Sequence, residues 1–312
     1  MFSLQCSMSV APIKRIHKGK VKEVWKTNDP KILQFKYTDN VSVFDKIIPS
    51  SIPRKGEMLN KTSSYWFQMI EEAGICDTHY IEIDSPTTCL VKKMNIYDKV
   101  PKDEENVFIP LEFISRYYLT GSLWRRVQDG EISKTSLGYH ENSKLHDGLK
   151  LPKPYIEMTT KFEPFDRVVS KEEALQISNC TEDEIDSVIE KIIAIDELID
   201  DKIRYTNLIH VDGKKEFGLG KNRVPIVVDS LGTLDEDRWW DLYKYISGGS
   251  NDQMSHLSKE FIRKYYKDSG YEKKLLESRK FKRTEPDIEA LPEHMIQEAS
   301  DLYKSMYVKI CT

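Results

Sequence analysis

Between two apolar segments, Leu208-Ile209-His210-Val211 and Val224-Pro225-Ile226-Val227-Val228, runs Asp212-Gly213-Lys214-Lys215-Glu216-Phe217-Gly218, in which four of seven residues are charged. Apolar stretches this close together read as two strands facing each other across a short turn. Glu216 and Asp229 then sit at or near the strand ends. A carboxylate on each of two neighbouring strands, with Lys214 nearby, suits Mg2+ and a nucleoside triphosphate. Mg2+ takes one or two protein carboxylates plus phosphate oxygens, and an ammonium neutralises charge on the group being transferred. A solvated hairpin with charged tips has the same spacing. Spacing by itself leaves both readings open.

The chain has 312 residues, enough for one large or two ordinary domains. A net charge of −4 and a pI of about 6.1 argue against a general nucleic-acid binder, though not against a local basic pocket. The five cysteines, Cys6, Cys76, Cys89, Cys180 and Cys311, are scattered, odd in number and without a CxxC pair. Neither a zinc site nor a disulfide framework is indicated, and a reducing, cytoplasmic setting is expected. Met1–Val10 lacks the basic start and apolar core of a signal peptide. No apolar run approaches the roughly 20 residues of a membrane span.

From Ile13 to Met94 the pattern is β-rich. Alternation through Gly19-Lys20-Val21-Lys22-Glu23-Val24-Trp25 sets Lys20 and Lys22 on one face of a strand. Lys31–Tyr37, Tyr80–Ile83 and Cys89–Met94 read as further strands. Leu59–Ala73 has helical spacing and stops at Gly74. The polar stretch Asn95–Asn106 reads as a loop or hairpin separating two lobes, residues 1–108 and 109–312. Ser170 with Glu173, and Thr181 with Glu184, are helix-start signatures, the second helix running to about Arg204. Asp237–Tyr245, Lys259–Tyr266 and Pro292–Met306 read as helices. Strands first and helices later give an α+β class. The sequence contains no GxGxxG and no GxxxxGK[ST], so lysines and backbone must hold any phosphate.

A second signal lies in Ile109-Pro110-Leu111-Glu112-Phe113-Ile114-Ser115-Arg116-Tyr117-Tyr118-Leu119-Thr120-Gly121-Ser122. It reads as an apolar strand ending in an arginine, followed by a Thr-Gly-Ser turn. A guanidinium and a hydroxyl beside a glycine turn suit a phosphate monoester. A surface arginine beside an ordinary turn is an equal reading.

These residues carry a family resemblance. The Arg116 to Ser122 stretch resembles a signature of phosphoribosylaminoimidazole-succinocarboxamide (SAICAR) synthetases. Val211–Gly218 resembles that family's Asp-x-Lys-x-Glu-Phe-Gly. The likeness continues in order through Gly19-Lys20-Val21-Lys22, Ser42-Val43-Phe44-Asp45, Ile52-Pro53-Arg54-Lys55-Gly56, Leu90–Met94, Pro154–Asp166 and Glu285-Pro286…Leu291-Pro292. It covers nearly the whole chain.

The resemblance implies a two-lobed, ATP-grasp-like α+β fold with the nucleotide between the lobes. It implies an ATP-dependent ligase of purine biosynthesis, with ATP and Mg2+, that activates the carboxylate of carboxyaminoimidazole ribonucleotide for attack by L-aspartate. It implies that Lys20 and Lys22 contact the ATP phosphates, that Val91, Lys92 and Met94 form the hinge against adenine, and that Glu112 reaches the ribose. By the same resemblance Glu216 and Asp229 carry Mg2+ and Lys214 lies near the transferred phosphoryl. Arg116, Ser122 and Arg238 hold the ribonucleotide 5′-phosphate, Asp235 contacts the imidazole, and Asp166 sits by the substrates. Small molecules are the expected partners, with no nucleic acid and no membrane. Members of the family differ in oligomeric state, which leaves a homo-oligomer open.

The chain departs from the family pattern in places. Ser230 follows Asp229 where the family usually has Glu, and Thr233-Leu234-Asp235-Glu236-Asp237-Arg238 replaces Thr-Pro-Asp-Ser-Ser-Arg. Two acids beside a phosphate site are electrostatically awkward unless they face away. Ser255-His256-Leu257-Ser258-Lys259-Glu260 keeps the lysine of a late signature and loses its Asp and Gln, and Phe165 stands where His often precedes the aspartate. ATP-dependent activation therefore follows more directly than substrate identity. A divergent ligase acting on another carboxylate or amine is one alternative. A small-molecule kinase is another, since inositol polyphosphate kinases have a related two-lobed fold and an Asp-x-Lys motif that Asp212-Gly213-Lys214 satisfies; the Arg116 to Ser122 signature has no place in that family. A non-catalytic binding protein is opposed by the retained Lys214, Glu216 and Asp229.

Overall fold

The structure, a computed structural model, describes residues 10–163, 165–248 and 257–312. Residues 1–9 of the Met1–Val10 stretch, which does not read as a signal peptide, Pro164 within the Pro154–Asp166 signature, and Ser255-His256 lie outside the described residues.

Two antiparallel sheets organise the chain. The first has the order β1 (Pro12–Lys18), β2 (Lys22–Thr27), β3 (Ile32–Tyr37), β7 (Thr88–Lys92) and β6 (Tyr80–Ser85). Helix α1 (Lys55–Glu72) packs on β3, β6 and β7, burying Leu59, Trp66, Phe67 and Ile70, and also meets the C-terminal helix Glu293–Cys311. A separate hairpin, β4 (Asn40–Val43) with β5 (Lys46–Ser51), precedes α1.

The second sheet has the order β10 (Val168–Val169), β9 (Leu149–Thr160), β8 (Val107–Leu119), β11 (Leu208–Leu219) and β12 (Pro225–Val228), with β13 (Asp237–Asp241) pairing the start of β11 beside β12. Strand β11 is therefore paired along both edges, and every residue in it except Lys214 is buried. Helix α3 (Lys171–Ser178) starts at Ser170, whose hydroxyl accepts from the Glu173 N–H. Helix α4 (Glu182–Ile203) starts with a complete capping box between Thr181 and Glu184. Its fully buried stripe Ile185, Val188, Ile192, Ile195 and Ile199 faces β11 and β12. Each such side chain contributes roughly 1.5–3 kcal/mol of apolar burial. The architecture is α+β and two-lobed, as the sequence implies.

Several local expectations are corrected. Gly19–Val21 is a turn between β1 and β2, closed by the Gly19 N–H donating to the Lys22 carbonyl at 2.8 Å, so Lys20 and Lys22 do not share a strand face. Asp212–Gly218 is strand interior, and the turn lies after it at Lys221–Arg223. Its charges are satisfied by facing side chains, which a local pattern does not show. Asp237–Asp241 is a strand, because Trp239 and Trp240 are buried on alternate faces, and only Leu242–Ile246 (α5) is helical. Arg116 lies inside β8 rather than at its end, and Gly121–Gln128 (α2) follows. The helix Tyr271–Lys280 was not expected from the sequence.

Candidate active site

Strands β8, β11 and β12 set two glutamates side by side. Register places Glu216 opposite Glu112 of β8 on one edge and Val228 of β12 on the other. Buried carboxylates need cations, and two are present. Lys214 Nζ lies 3.0 Å from Glu112 and 2.8 Å from Glu216. Lys161, one residue past β9, reaches the same two at 2.9 and 2.7 Å. Burial opposes ionisation of Glu216, but Lys214 and Lys161 outweigh it and hold its pKa down at about 2. Burial likewise opposes charge on Lys214, and Glu216, Glu236 and Glu112 outweigh it, raising its pKa well above the usual lysine value.

Asp229 follows β12 with φ of 66°. This left-handed conformation is tolerated by aspartate and turns its carboxylate towards the first sheet, where it pairs with Lys22 of β2. Lys22 also lies 4.4 Å from the Phe35 ring centroid. Burial pulls the Lys22 pKa down to about 8, against the pull of Glu216 and Glu236.

The two sheets are joined at the back of this cluster. The Lys92 N–H donates to the His79 carbonyl at 2.6 Å, and the His79 N–H donates to the Val227 carbonyl at 3.0 Å. Between the sheets is a cavity of about 730 Å3. Val24, Leu33, Val91, Met94, Phe108 and Val228 line an apolar part of it, and the charged cluster lines another. Gly218 lets Met94 approach, since a Cβ there would stand 2.5 Å from Met94 Cε and 2.8 Å from the Val107 carbonyl oxygen. Burial lowers the His79 pKa to about 3, so a neutral imidazole lines this cavity.

A second charged group forms around Asp212, two residues before Lys214. Arg116 Nε lies 2.5 Å from Glu157, Nη1 lies 3.3 Å from Asp212, and Nη2 donates to Ser122 Oγ at 3.2 Å. Arg238 on β13 lies 3.4 Å from the other Asp212 oxygen. Gly121, with φ of +59°, faces Arg238 so closely that a Cβ would stand 2.7 Å from Nη1. Arg126 of α2 pairs with the second Glu157 oxygen. The structure thus brings Arg116, Ser122 and Arg238 together.

Asp235 lines the main cavity and is fixed by Lys55 Nζ at 2.7 Å and Tyr303 Oη at 2.5 Å. Burial opposes its charge, but Lys259 and Lys55 outweigh that and hold its pKa well below the usual carboxylate range. The two unexpected acids part company. Asp237 turns away, accepting from the Gly232 N–H at 3.1 Å and lying 2.7 Å from buried His210. Glu236 turns inward and lies 3.2 Å from Lys214.

Lys20 is exposed and pairs with Asp45 at 2.5 Å, on the rim of the cavity. Asp166 is also exposed on the rim, and burial and Glu112 raise its pKa. Val91, Lys92 and Met94 line the cavity, with Lys92 Nζ donating to the Thr78 carbonyl at 3.1 Å. Glu112 stands among the lysines. Sequence reading missed Lys161, Lys55, Glu157, Tyr303 and Glu236 as site residues. Lys55, Glu157 and Lys161 lie inside stretches that carry the family resemblance and Glu236 inside a stretch that departs from it; Tyr303 comes from a distant segment, and only tertiary pairing reveals it.

The family model described as SAICAR synthetase matches residues 15–278. The chain belongs to the SAICAR synthetase family. Among curated relatives, the phosphoribosylaminoimidazole-succinocarboxamide synthase of Thermoplasma acidophilum is 44% identical over 298 residues, spanning 96% of this chain and 98% of that protein. The enzyme of the same name from Thermoplasma volcanium is 42% identical over the same shares. Among solved structures, the SAICAR synthase of Saccharomyces cerevisiae complexed with SAICAR aligns with a TM-score of 0.72 at 24% identity, covering all 100% of this chain and 97% of that one. The synthase from Ehrlichia chaffeensis aligns with a TM-score of 0.68 at 20% identity, covering 95% and 98%. These two likenesses bear on the fold. Among the described residues, no helix is long and apolar enough to cross a membrane.

Proposed function

We propose that this member of the SAICAR synthetase family is an ATP-dependent ligase joining L-aspartate to the carboxylate of carboxyaminoimidazole ribonucleotide. The products are SAICAR, ADP and phosphate. The observation that carries this reading is the cluster of Lys22, Lys161 and Lys214 with Glu216 and Asp229 at the junction of two sheets, in a chain 44% identical to an enzyme named for that product.

A carboxylate is a poor electrophile until one of its oxygens becomes part of a leaving group. In the first step a carboxylate oxygen of the ribonucleotide attacks the γ-phosphorus of ATP and ADP leaves. In the second, the aspartate amine attacks the acyl carbon, phosphate leaves, and the amine gives up a proton. Both steps gather anions, so fixed cations lower the barrier. Lys22 and Lys214 face that need, and Lys161 joins them. Lys20 closes the rim above the phosphates. The apolar slot of Val91 and Met94, with the Lys92 backbone, receives the adenine. Glu112 stands closer to the phosphate end than to the adenine slot, as an anchor for Lys161 and Lys214 with reach towards the ribose.

Among the described residues, no three acidic, histidine or cysteine side chains converge as a metal cage. Two carboxylates, Glu216 and Asp229, fit Mg2+, which takes few protein ligands and completes its shell with phosphate and water. When bound there, Mg2+ would neutralise charge on the phosphates during transfer. Arg116, Ser122 and Arg238 would hold the ribonucleotide 5′-phosphate, and Asp235, held rigid by Lys55 and Tyr303, would face the imidazole. Asp166 on the rim is placed for the substrates. Lobes 1–108 and 109–312 would then close on the nucleotide.

The test is ADP release with ATP, Mg2+, ribonucleotide and L-aspartate, omitting each in turn, with the product identified by mass. SAICAR formed only with all present supports the reading. A different amide, a phosphorylated alcohol, or ADP released without amide overturns it.

A further inference from the structure

Glu236 and Ser230 occupy positions at which the family pattern has serine and glutamate, respectively. The two side chains meet in space: Ser230 Oγ donates to Glu236 Oε1 at 3.5 Å. The other Glu236 oxygen lies 3.2 Å from Lys214 Nζ, and the glutamate side chain is only 16% exposed. Both residues line the main cavity beside Asp229 and Glu216.

We propose that Glu236 is a positioning residue for Lys214. It supplies, from the segment before β13, the carboxylate that the family pattern carries directly after the aspartate of β12. The contact between Ser230 and Glu236 lets a carboxylate on either residue reach the same place. The inference rests on the ligase reading for its kinetic consequence, but not for its structural one.

The need for such an anchor follows from how the other carboxylates are shared. Glu112 and Glu216 each hold Lys161 as well as Lys214. Glu216 is also a carboxylate that a divalent cation would engage. Among the described residues, Glu236 pairs with Lys214 alone. When Glu216 is drawn elsewhere, Glu236 still fixes the position of the ammonium. The neighbouring acid does not crowd this arrangement, since Asp237 is turned towards His210.

Three variants test the proposal: Glu236→Gln, Glu236→Ser, and the exchange Ser230→Glu with Glu236→Ser. Each is first checked for an unchanged melting curve, and Glu236→Gln keeps the shape should Glu236→Ser unfold. The first readout needs no turnover. In crystal structures of the free proteins, Lys214 Nζ keeps its place beside residue 236 in the wild type, leaves it in Glu236→Gln and Glu236→Ser, and returns to it in the exchange. The second is kinetic. Both single variants lose roughly 10- to 100-fold in kcat, the factor of one lost charge-assisted hydrogen bond. Their KM for the ribonucleotide stays within about twofold, and the exchange restores most of the rate. A Lys214 side chain unmoved in both single variants, or an exchange variant no better than Glu236→Ser, overturns the proposal. A wild-type protein that forms no SAICAR overturns the ligase reading instead, and the position of Lys214 in the variants still decides the role of Glu236.

Discussion

Lys22 on the first sheet and Asp229 on the second form an ion pair across the cleft, with Asp229 held in a left-handed backbone conformation to make it. Each residue is delivered by a different sheet, so a nucleotide and metal bound as proposed would rearrange the pair. The lysine is also the cluster cation whose pKa burial lowers to about 8.

An alkaline limb in the pH profile follows. On the proposed reading the phosphates need Lys22 as an ammonium, and raising the pH through about 8 removes its proton in the free enzyme. The expected kcat/KM for ATP therefore falls above about pH 8, because that parameter reports the free enzyme. Replacing Lys22 with Met lowers kcat/KM for ATP and removes this limb. A steady-state pH series on both proteins checks it.

Glu216 gives a prediction on the acid side. Its folded pKa of about 2 is below the ordinary 4.5, so between these values the unfolded chain binds a proton that the folded chain does not. Stability from this group is present above about pH 4.5 and is lost as the pH falls towards 2. Glu216→Gln is expected to flatten the fall in melting temperature over that window. At neutral pH the same variant loses at least roughly 100-fold in kcat, the scale of a lost group that stabilises transferred charge. Near-normal turnover at saturating Mg2+ would remove Glu216 from the metal site.

Arg116 separates the two substrate regions. Arg116→Ala is expected to raise the KM for the ribonucleotide roughly 10- to 100-fold through loss of a charged hydrogen-bonding fork. The KM for ATP should change by no more than about threefold. The partners it leaves are not stranded, since Glu157 keeps Arg126 and Asp212 keeps Arg238. Equal changes in both KM values would move Arg116 out of the phosphate pocket.

Lys215 is expected to serve the fold. Its fully buried ammonium lies 2.6 Å from Asp196, which also accepts from Tyr117 Oη at 2.8 Å. Lys215→Met leaves a buried carboxylate without its cation and should destabilise the protein by about 3–5 kcal/mol. Adding Asp196→Asn should recover much of that loss in denaturant melts. A Lys215→Met protein of unchanged stability would contradict the assignment.

The legible parts of this chain were those set by local rules. The capping box at Thr181 and the isoleucine stripe behind it announce α4, because both depend on residues three or four apart. Lys214, Glu216 and Asp229 stood out because charges between apolar strand segments need a purpose. Strand β13 was read as a helix because the partner that makes it a strand, the start of β11, lies some distance back in the sequence. The opposite orientations of Glu236 and Asp237 were likewise hidden. Neighbours in sequence point to opposite sides of a chain, but which side holds Lys214 and which holds His210 is decided by tertiary pairing.

The central claim is that ATP activates the ribonucleotide carboxylate by phosphorylating it. Its most direct test is turnover of carboxyaminoimidazole ribonucleotide labelled with 18O in the carboxylate, with ATP, Mg2+ and L-aspartate, followed by mass analysis of the released phosphate. The account predicts one labelled oxygen in each phosphate, carried over from the carboxylate. Phosphate free of label, with the lost carboxylate oxygen appearing in water instead, would contradict it.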